Sequence, residues 1–381
     1  MARLQATAHR YIEEQNETPS PCGRQQLSGW TSVQNGRIHL HRNREGHGTM
    51  NVAIIGAGLQ CKRRASTIRE LCPSSLKIIS SPHHSTKVAA EFGCESTKNW
   101  KEAVRRKDVD VVIVCTPPHL HAEISIAAMD LGKHVLCEKP LATSVKEAER
   151  MVASAKKNGV VLKCGFNHRH HPAILDAKRL VEQGKFGKVL FCRSRYGICG
   201  RPEYEKEWRA DPKLAAGGQF MEQGVHVIDL FRWFLGDLKE VACMTSNHYF
   251  KEMKLEDDGM ALFRSASGAT ACLHTTLVQW KNLFSFEVFG EEGYAIVEGL
   301  GGGYGEERLI YGKRDFKAPF RDDTTYYRGS DKSWKEEWME FLSAISQKRQ
   351  PLGDGVDGLE ALRAAFAAYE SQDKKRFVSI H

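Results

Sequence analysis

In the stretch EQGVHVIDLFRW, Glu222 and His226 stand four residues apart. On a helix that spacing puts a carboxylate and an imidazole on one face. An imidazole with its ordinary pKa near about 6.5 is suited to moving a hydroxyl proton; a satisfied buried histidine is the bland alternative. A second reactive group, Lys139, closes the apolar run HVLCEKP. A lysine in a partly desolvated cleft can steady a developing alkoxide, although a surface lysine before a proline would read the same way. A third feature is NVAIIGAGLQC, where Gly56 and Gly58 follow the short β-branched run Val52 to Ile55. Gly56 can take the backbone angles of a tight turn, and Gly58 leaves no side chain between a helix N-terminus and a pyrophosphate. Cys61 stands where a third glycine is expected, as a small residue that tolerates apolar packing.

For these groups to meet, the chain must carry each to the end of a strand. Alternation of strand and helix is regular from Asn51. Strands are predicted at Val52–Ile55, Leu76–Ser80, Val109–Thr116, His134–Pro140 and Val160–Asn167. The helices between them run over Lys62–Leu71, Ser85–Gly93, Trp100–Arg106, Ala122–Leu131 and Ser144–Lys157, with Ser144 as cap. Buried runs such as VVIVC, with helices between them, imply a doubly wound Rossmann-type parallel sheet whose ligands sit at the carboxyl ends of its strands. At the end of the second strand, where a carboxylate for the adenine ribose is usual, LKIISSPHH offers Ser80 and Ser81. Nothing there repels a 2′-phosphate, so NADP is expected to be accepted as well as NAD, unless these are ordinary turn residues.

Composition narrows the function class. The chain has 381 residues, 41% of them hydrophobic, enough for two domains with real cores. The net charge of +8 is spread along the chain rather than gathered in a stripe, which argues against nucleic acid as partner. Eleven cysteines without a C-x-x-C pair suggest reduced thiols and a cytoplasmic setting. No apolar run is long enough to span a membrane. Residues 1–49 are poor in aliphatics and are read as a disordered extension. HRHH (His168 to His171 with Arg169) lacks ligand spacing, so no metal is expected.

VCTPPHLHAE (Val114 to Glu123), followed by GKHVLCEKPLATSVKEAERM (Gly132 to Met151), resembles the glucose–fructose oxidoreductase, inositol dehydrogenase and rhizopine-catabolism protein family. The likeness continues through GFNHRHHPAI, GKFGKV, EWRADPKLAAGGQFMEQGVHVIDLFRWFLG and DGLEALRAAFAAYES, and so covers nearly everything after residue 50. It implies an NAD(P)-dependent oxidoreductase acting on a secondary hydroxyl or ketone of a sugar, polyol or related molecule. His226 would be the acid/base, Lys139 the oxyanion partner, and Glu222 would stand where the family usually has aspartate, orienting the imidazole or binding a substrate hydroxyl.

The resemblance also implies that Gly56, Gly58, Leu59, Ser80, Ser81, Thr116, Pro117, His121, Glu138, Lys139, Asn167 and Arg169 line the cofactor, with Trp208 and Arg209 closing over it. Asp229 reads as structural. A nucleotide domain over 50–170 would precede an α+β domain over 171–340 with a large, mostly antiparallel sheet, used for homodimers or homotetramers. A helix in 341–381 would pack back on the nucleotide domain. The family leaves two other possibilities, a ligand sensor without turnover and an enzyme that retains its cofactor to cleave or epimerise sugars. In the second half, the pattern predicts helices at Ala173–Gln183 and Val225–Leu235, strand-like runs within 188–197, 240–250, 259–280 and 284–299, and hairpin turns at Ser267-Gly268 and Glu292-Gly293.

Overall fold

The computed structural model of the chain describes residues 50–381, so the extension read at 1–49 lies outside the described residues. Six strands form the first sheet: Val52–Ile55 (β1), Leu76–Ser80 (β2), Glu95–Thr97 (β3), Val111–Val114 (β4), His134–Cys137 (β5) and Leu162–Cys164 (β6). Their order is β3-β2-β1-β4-β5-β6, and every neighbouring pair is parallel. Helices Leu59–Leu71 (α1), Ser85–Phe92 (α2), Trp100–Arg105 (α3), His121–Met129 (α4) and Val145–Asn158 (α5) connect them. All four residues of β1 and of β4 are buried, as a sheet covered on both faces requires. The strand order reverses between β1 and β4, which opens a crevice at their carboxyl ends. The Ser144 hydroxyl caps α5 by accepting from the Glu147 backbone N–H at 3.3 Å.

The strands are shorter than the sequence pattern predicts. β4 ends at Val114 rather than Thr116, β5 at Cys137 rather than Pro140, and β6 at Cys164 rather than Asn167. In each case the residues left over leave the sheet at its carboxyl end. Helix α1 starts earlier than expected, at Leu59, which makes Gly58 its N-cap. The short edge strand β3 has no apolar signature and went unpredicted.

Helix Pro172–Glu182 (α6) leads into the second sheet. Its strands are Val189–Cys199 (β7), Leu238–Ser246 (β8), Asp258–Ser265 (β9), Thr270–Thr276 (β10), Val278–Gly290 (β11), Gly293–Glu298 (β12), Glu307–Lys313 (β13), Asp323–Tyr327 (β14) and Val378–Ser379 (β15). They run in the order β14-β13-β12-β11-β7-β10-β9-β8-β15, antiparallel throughout except for the parallel pair β7 and β10. Helix Val225–Leu235 (α7) has the predicted bounds. It is nearly all buried against this sheet, with Phe231 and Phe234 meeting Phe286.

Two further helices, Ser333–Ser346 (α8) and Gly355–Lys374 (α9), tie the sheets together. Trp338, Phe341 and Ile345 of α8 share a core with Ile54 and Val111 of the first sheet. Leu359 and Leu362 of α9 join the core that holds Leu162 and Val241, and Asp354 closes its N-terminus with a capping box. Packing against the first sheet therefore begins with α8, before the expected start at residue 341. Among the described residues no helix is long and apolar enough to cross a membrane.

Candidate active site

The turn after β1 has the shape its glycines imply. Gly56 has φ of 106°, and a Cβ there would come within 2.5 Å of the Cys115 carbonyl oxygen, so both dihedral and space demand glycine. Its N–H donates to the Ser80 carbonyl at 2.8 Å, which holds the turn to the end of β2. Gly58 has an ordinary φ of −85°, and a Cβ there would meet nothing within 4 Å. The N-terminus of α1 thus opens onto free space with Leu59 exposed beside it. Cys61 faces the other way, wholly buried with Ile54 and Ala65, and burial pushes its thiol up to about 12. The residue replacing the third glycine acts as helix-on-sheet packing. Ser80 is buried with its hydroxyl unpartnered, and Ser81 is partly exposed at the strand end.

Where β4 and β5 end, one buried histidine joins the two strand ends. The His121 ring nitrogens lie 2.8 Å from the Thr116 carbonyl oxygen and 2.9 Å from that of Pro140. Burial lowers its pKa despite both carbonyls, so the ring is neutral and donates to one of them. His121, fully buried, joins the ends of β4 and β5 through Thr116 and Pro140. Thr116 keeps an unpartnered buried hydroxyl, and Pro117 leads into the turn before α4.

Glu138 turns away from Lys139. It is 5% exposed and accepts from Arg64 Nε at 2.9 Å; Arg64, on α1, also donates through Nη1 to Glu337 of α8 at 2.5 Å and lies 4.6 Å from the Trp334 ring centroid. The sequence reading missed this cluster, because KRR reads as a solvated basic face and Glu337 stands 273 positions away.

Lys139 reaches the turn that precedes α7. Its ammonium lies 3.2 Å from Glu222 Oε1 and also donates to the Glu222 backbone carbonyl. Arg209 Nε approaches the same carboxylate oxygen at 3.4 Å, and the Arg209 guanidinium stacks 4.4 Å from the Trp208 ring. Burial works to raise the Glu222 pKa, but Lys139 and Arg209 outweigh it and hold the carboxyl below its usual value. Glu222 belongs to a π-helical turn, Phe220–Gly224, immediately before α7. Its carboxylate thereby points to Lys139 and Arg209, not to the His226 ring as an i, i+4 α-helical spacing suggests. Wide turns of this kind recur at functional sites.

His226, in the first turn of α7, is 5% exposed. Its Nδ1 is buried without a hydrogen-bond partner among the described residues, which leaves Nε2 as the nitrogen able to meet a substrate. Burial, then His168, Lys139, His171 and Arg64, push its pKa well below the ordinary histidine value, so the resting ring is a neutral base.

The other expected cofactor residues are engaged in the protein. Arg169 grips Asp229 with two bonds, Nε at 2.8 Å and Nη2 at 2.6 Å, and reaches Asp357 of α9 at 3.0 Å. Asn167 Nδ2 donates to Ser333 of α8 at 2.9 Å. Both are buried and tie α7, α8 and α9 to the turn after β6.

The free N-terminus of α1, the glycine turn and the strand-end crevice fit a dinucleotide. A parallel nucleotide-binding sheet joined to a largely antiparallel sheet, with a lysine and a histidine where they meet, defines a dehydrogenase-like oxidoreductase. Residues 50–166 match the oxidoreductase family with an NAD-binding Rossmann fold, and residues 174–296 match the GFO/IDH/MocA C-terminal domain. The chain is 32% identical over 286 residues to 1,5-anhydro-D-fructose reductase of Ensifer adhaerens, covering 73% of this chain and 81% of the relative. It is 28% identical over 352 residues to levoglucosan dehydrogenase of Pseudarthrobacter phenanthrenivorans, covering 82% and 84%. A solved structure of levoglucosan dehydrogenase in complex with NADH superposes with a TM-score of 0.80 at 26% identity, covering 87% of this chain and 99% of that one. The chain belongs to the GFO/IDH/MocA family of oxidoreductases, and its first domain is an NAD-binding Rossmann fold.

Proposed function

We propose that this protein transfers hydride between a nicotinamide and a secondary alcohol or ketone of a sugar, polyol or anhydrosugar. The observation that carries the reading is the tether of Lys139 to the backbone and carboxylate of Glu222, one turn before His226, which brings a cation and a neutral base to the same end of α7. Gly56, Gly58 and Leu59 would hold the pyrophosphate, and the bound nicotinamide supplies a hydride acceptor. His226 Nε2 takes the hydroxyl proton. Lys139 steadies the oxygen as its charge grows, and Glu222 with Arg209 fixes where that ammonium stands. Run backwards, the same groups protonate a ketone as it is reduced.

With Ser80 and Ser81 in place of an acid at the end of β2, NADP(H) serves at least as well as NAD(H). On one face of the second sheet, Met244 pairs with Met260 and Ala242 with Leu262; the three larger side chains are 72%, 51% and 52% exposed. That apolar strip supports a homodimer or homotetramer built through the sheet. The free cysteines of the described residues suit a reducing, cytoplasmic setting.

The test is a turnover screen with both nicotinamides against sugars, polyols, sugar acids and anhydrosugars, levoglucosan and myo-inositol included. Net formation of reduced cofactor with at least one compound is expected. Tight cofactor binding with no turnover across the panel would overturn the reading in favour of a sensor.

A further inference from the structure

His168 lies in the short turn Asn167–His170 that follows β6, 5% exposed. Its ring is face to face with His226, centroids 3.9 Å apart and planes 22° from parallel. On its other sides are Tyr196 at 5.2 Å, Phe284 at 5.6 Å and His171 at 5.8 Å, so the ring is boxed. Its tautomer follows from a chain of donors. Ser333 Oγ donates to Asp331, Asn167 Nδ2 donates to Ser333, and the Asn167 carbonyl oxygen therefore faces His168 Nδ1, 3.3 Å away, as an acceptor. Nδ1 carries the proton, and Nε2, buried without a partner among the described residues, carries none. Burial, then His171 and Lys139, also disfavour a second proton on this ring. Among the described residues no carboxylate takes up the role that usually orients a catalytic imidazole: Glu222 is bound to Lys139 and Arg209, and Asp229 to Arg169.

We propose that His168 is the positioning residue for His226, a neutral, tautomer-locked imidazole whose face fixes the plane of the reacting ring. This inference rests on the reading of His226 as the base. Contact with the substrate is not part of this role.

The test compares His168→Ala with His168→Phe, which restores a flat ring, on the compound that the turnover screen yields. His226→Ala is run alongside: if that variant keeps its turnover, the reading of His226 fails, whatever His168 does. Loss of the platform should lower kcat by about tenfold to a hundredfold, with KM and cofactor affinity little changed, because a misaimed base costs rate rather than binding. His168→Phe should recover most of that loss. The idea is overturned if folded His168→Ala turns over like wild type, if KM rises instead of kcat falling, or if the phenylalanine variant is as slow as the alanine one. A substrate-free measurement guards against a variant that does not fold. In proton spectra of histidine-labelled wild type, the His226 carbon-bound protons should be shifted upfield by the His168 ring current and keep that shift in His168→Phe. Unshifted His226 signals in wild type would contradict the platform.

Discussion

Arg169→Met separates a structural role from a cofactor role for a residue the sequence places in the site. Arg169 is 3% exposed and Asp229 fully buried, and three bonds of 2.6 to 3.0 Å join the guanidinium to Asp229 and Asp357. Removing the cation leaves a carboxylate at the core of α7 without its counter-charge, which costs about 3–5 kcal/mol. Burial already raises the Asp229 pKa to about 6, against the pull of Arg169. Without Arg169 it must rise further. A carboxyl whose folded pKa lies above its unfolded value stabilises the fold most at low pH and loses that contribution as pH climbs through the folded pKa. The Arg169→Met deficit should therefore be largest above the variant's Asp229 pKa, shrink by about 1.4 kcal/mol for each unit of acidification from that pKa down to about 6, and level off below, where wild-type Asp229 gains its proton as well. Urea unfolding at several pH values measures it. Adding Asp229→Leu should recover most of the loss, since an apolar pair of similar volume replaces a buried ion pair at little cost, and NADH affinity of the folded variant should be unchanged. Unaltered stability together with weakened NADH binding would refute this reasoning and return Arg169 to the cofactor.

Gly58→Val, which fills the free space at the head of α1 without backbone strain, should abolish NADH and NADPH binding in fluorescence titrations while leaving thermal unfolding unchanged; equal titrations would misplace the site. Ser81→Asp should shift the ratio of NADPH to NADH affinity toward NADH by charge repulsion at a 2′-phosphate, and a wild-type preference for NADH of a hundredfold (about 2.7 kcal/mol) or more would show that another acid reads the ribose. Because burial, with Lys139 nearby, disfavours the His226 cation, the acidic limb of kcat/KM for oxidation should lie below the ordinary histidine value of about 6.5 and vanish in His226→Ala. A limb at or above that value would contradict the buried neutral base.

The sequence made visible what depends on local pattern. β1, β2 and α7 have the predicted bounds because apolar periodicity marks them, and Gly56 and Gly58 were readable because a turn needs their missing side chains. Strands β3, β13 and β14 escaped because they are short edges or carry polar letters, and the π-helical turn at Phe220–Gly224 has no sequence signature that distinguishes it from α-helix. Side-chain direction was hidden where a distant partner decides it. Glu138 points to Arg64 and Arg169 to Asp229, 74 and 60 positions away, and His168, one letter in HRHH, gains its meaning only from the ring stacked on it.

The account stands or falls on whether His226 moves the proton while Lys139 steadies the oxygen. The direct measurement is the turnover number and cofactor dissociation constant of His226→Ala and Lys139→Met beside wild type, on a substrate confirmed by the screen. Loss of a positioned base should cut turnover by about a hundred- to ten-thousandfold in His226→Ala, and Lys139→Met should also fall steeply, with cofactor affinity nearly unchanged in both. A His226→Ala enzyme that keeps more than about a tenth of wild-type turnover would contradict the assignment, because no general base is lost so cheaply.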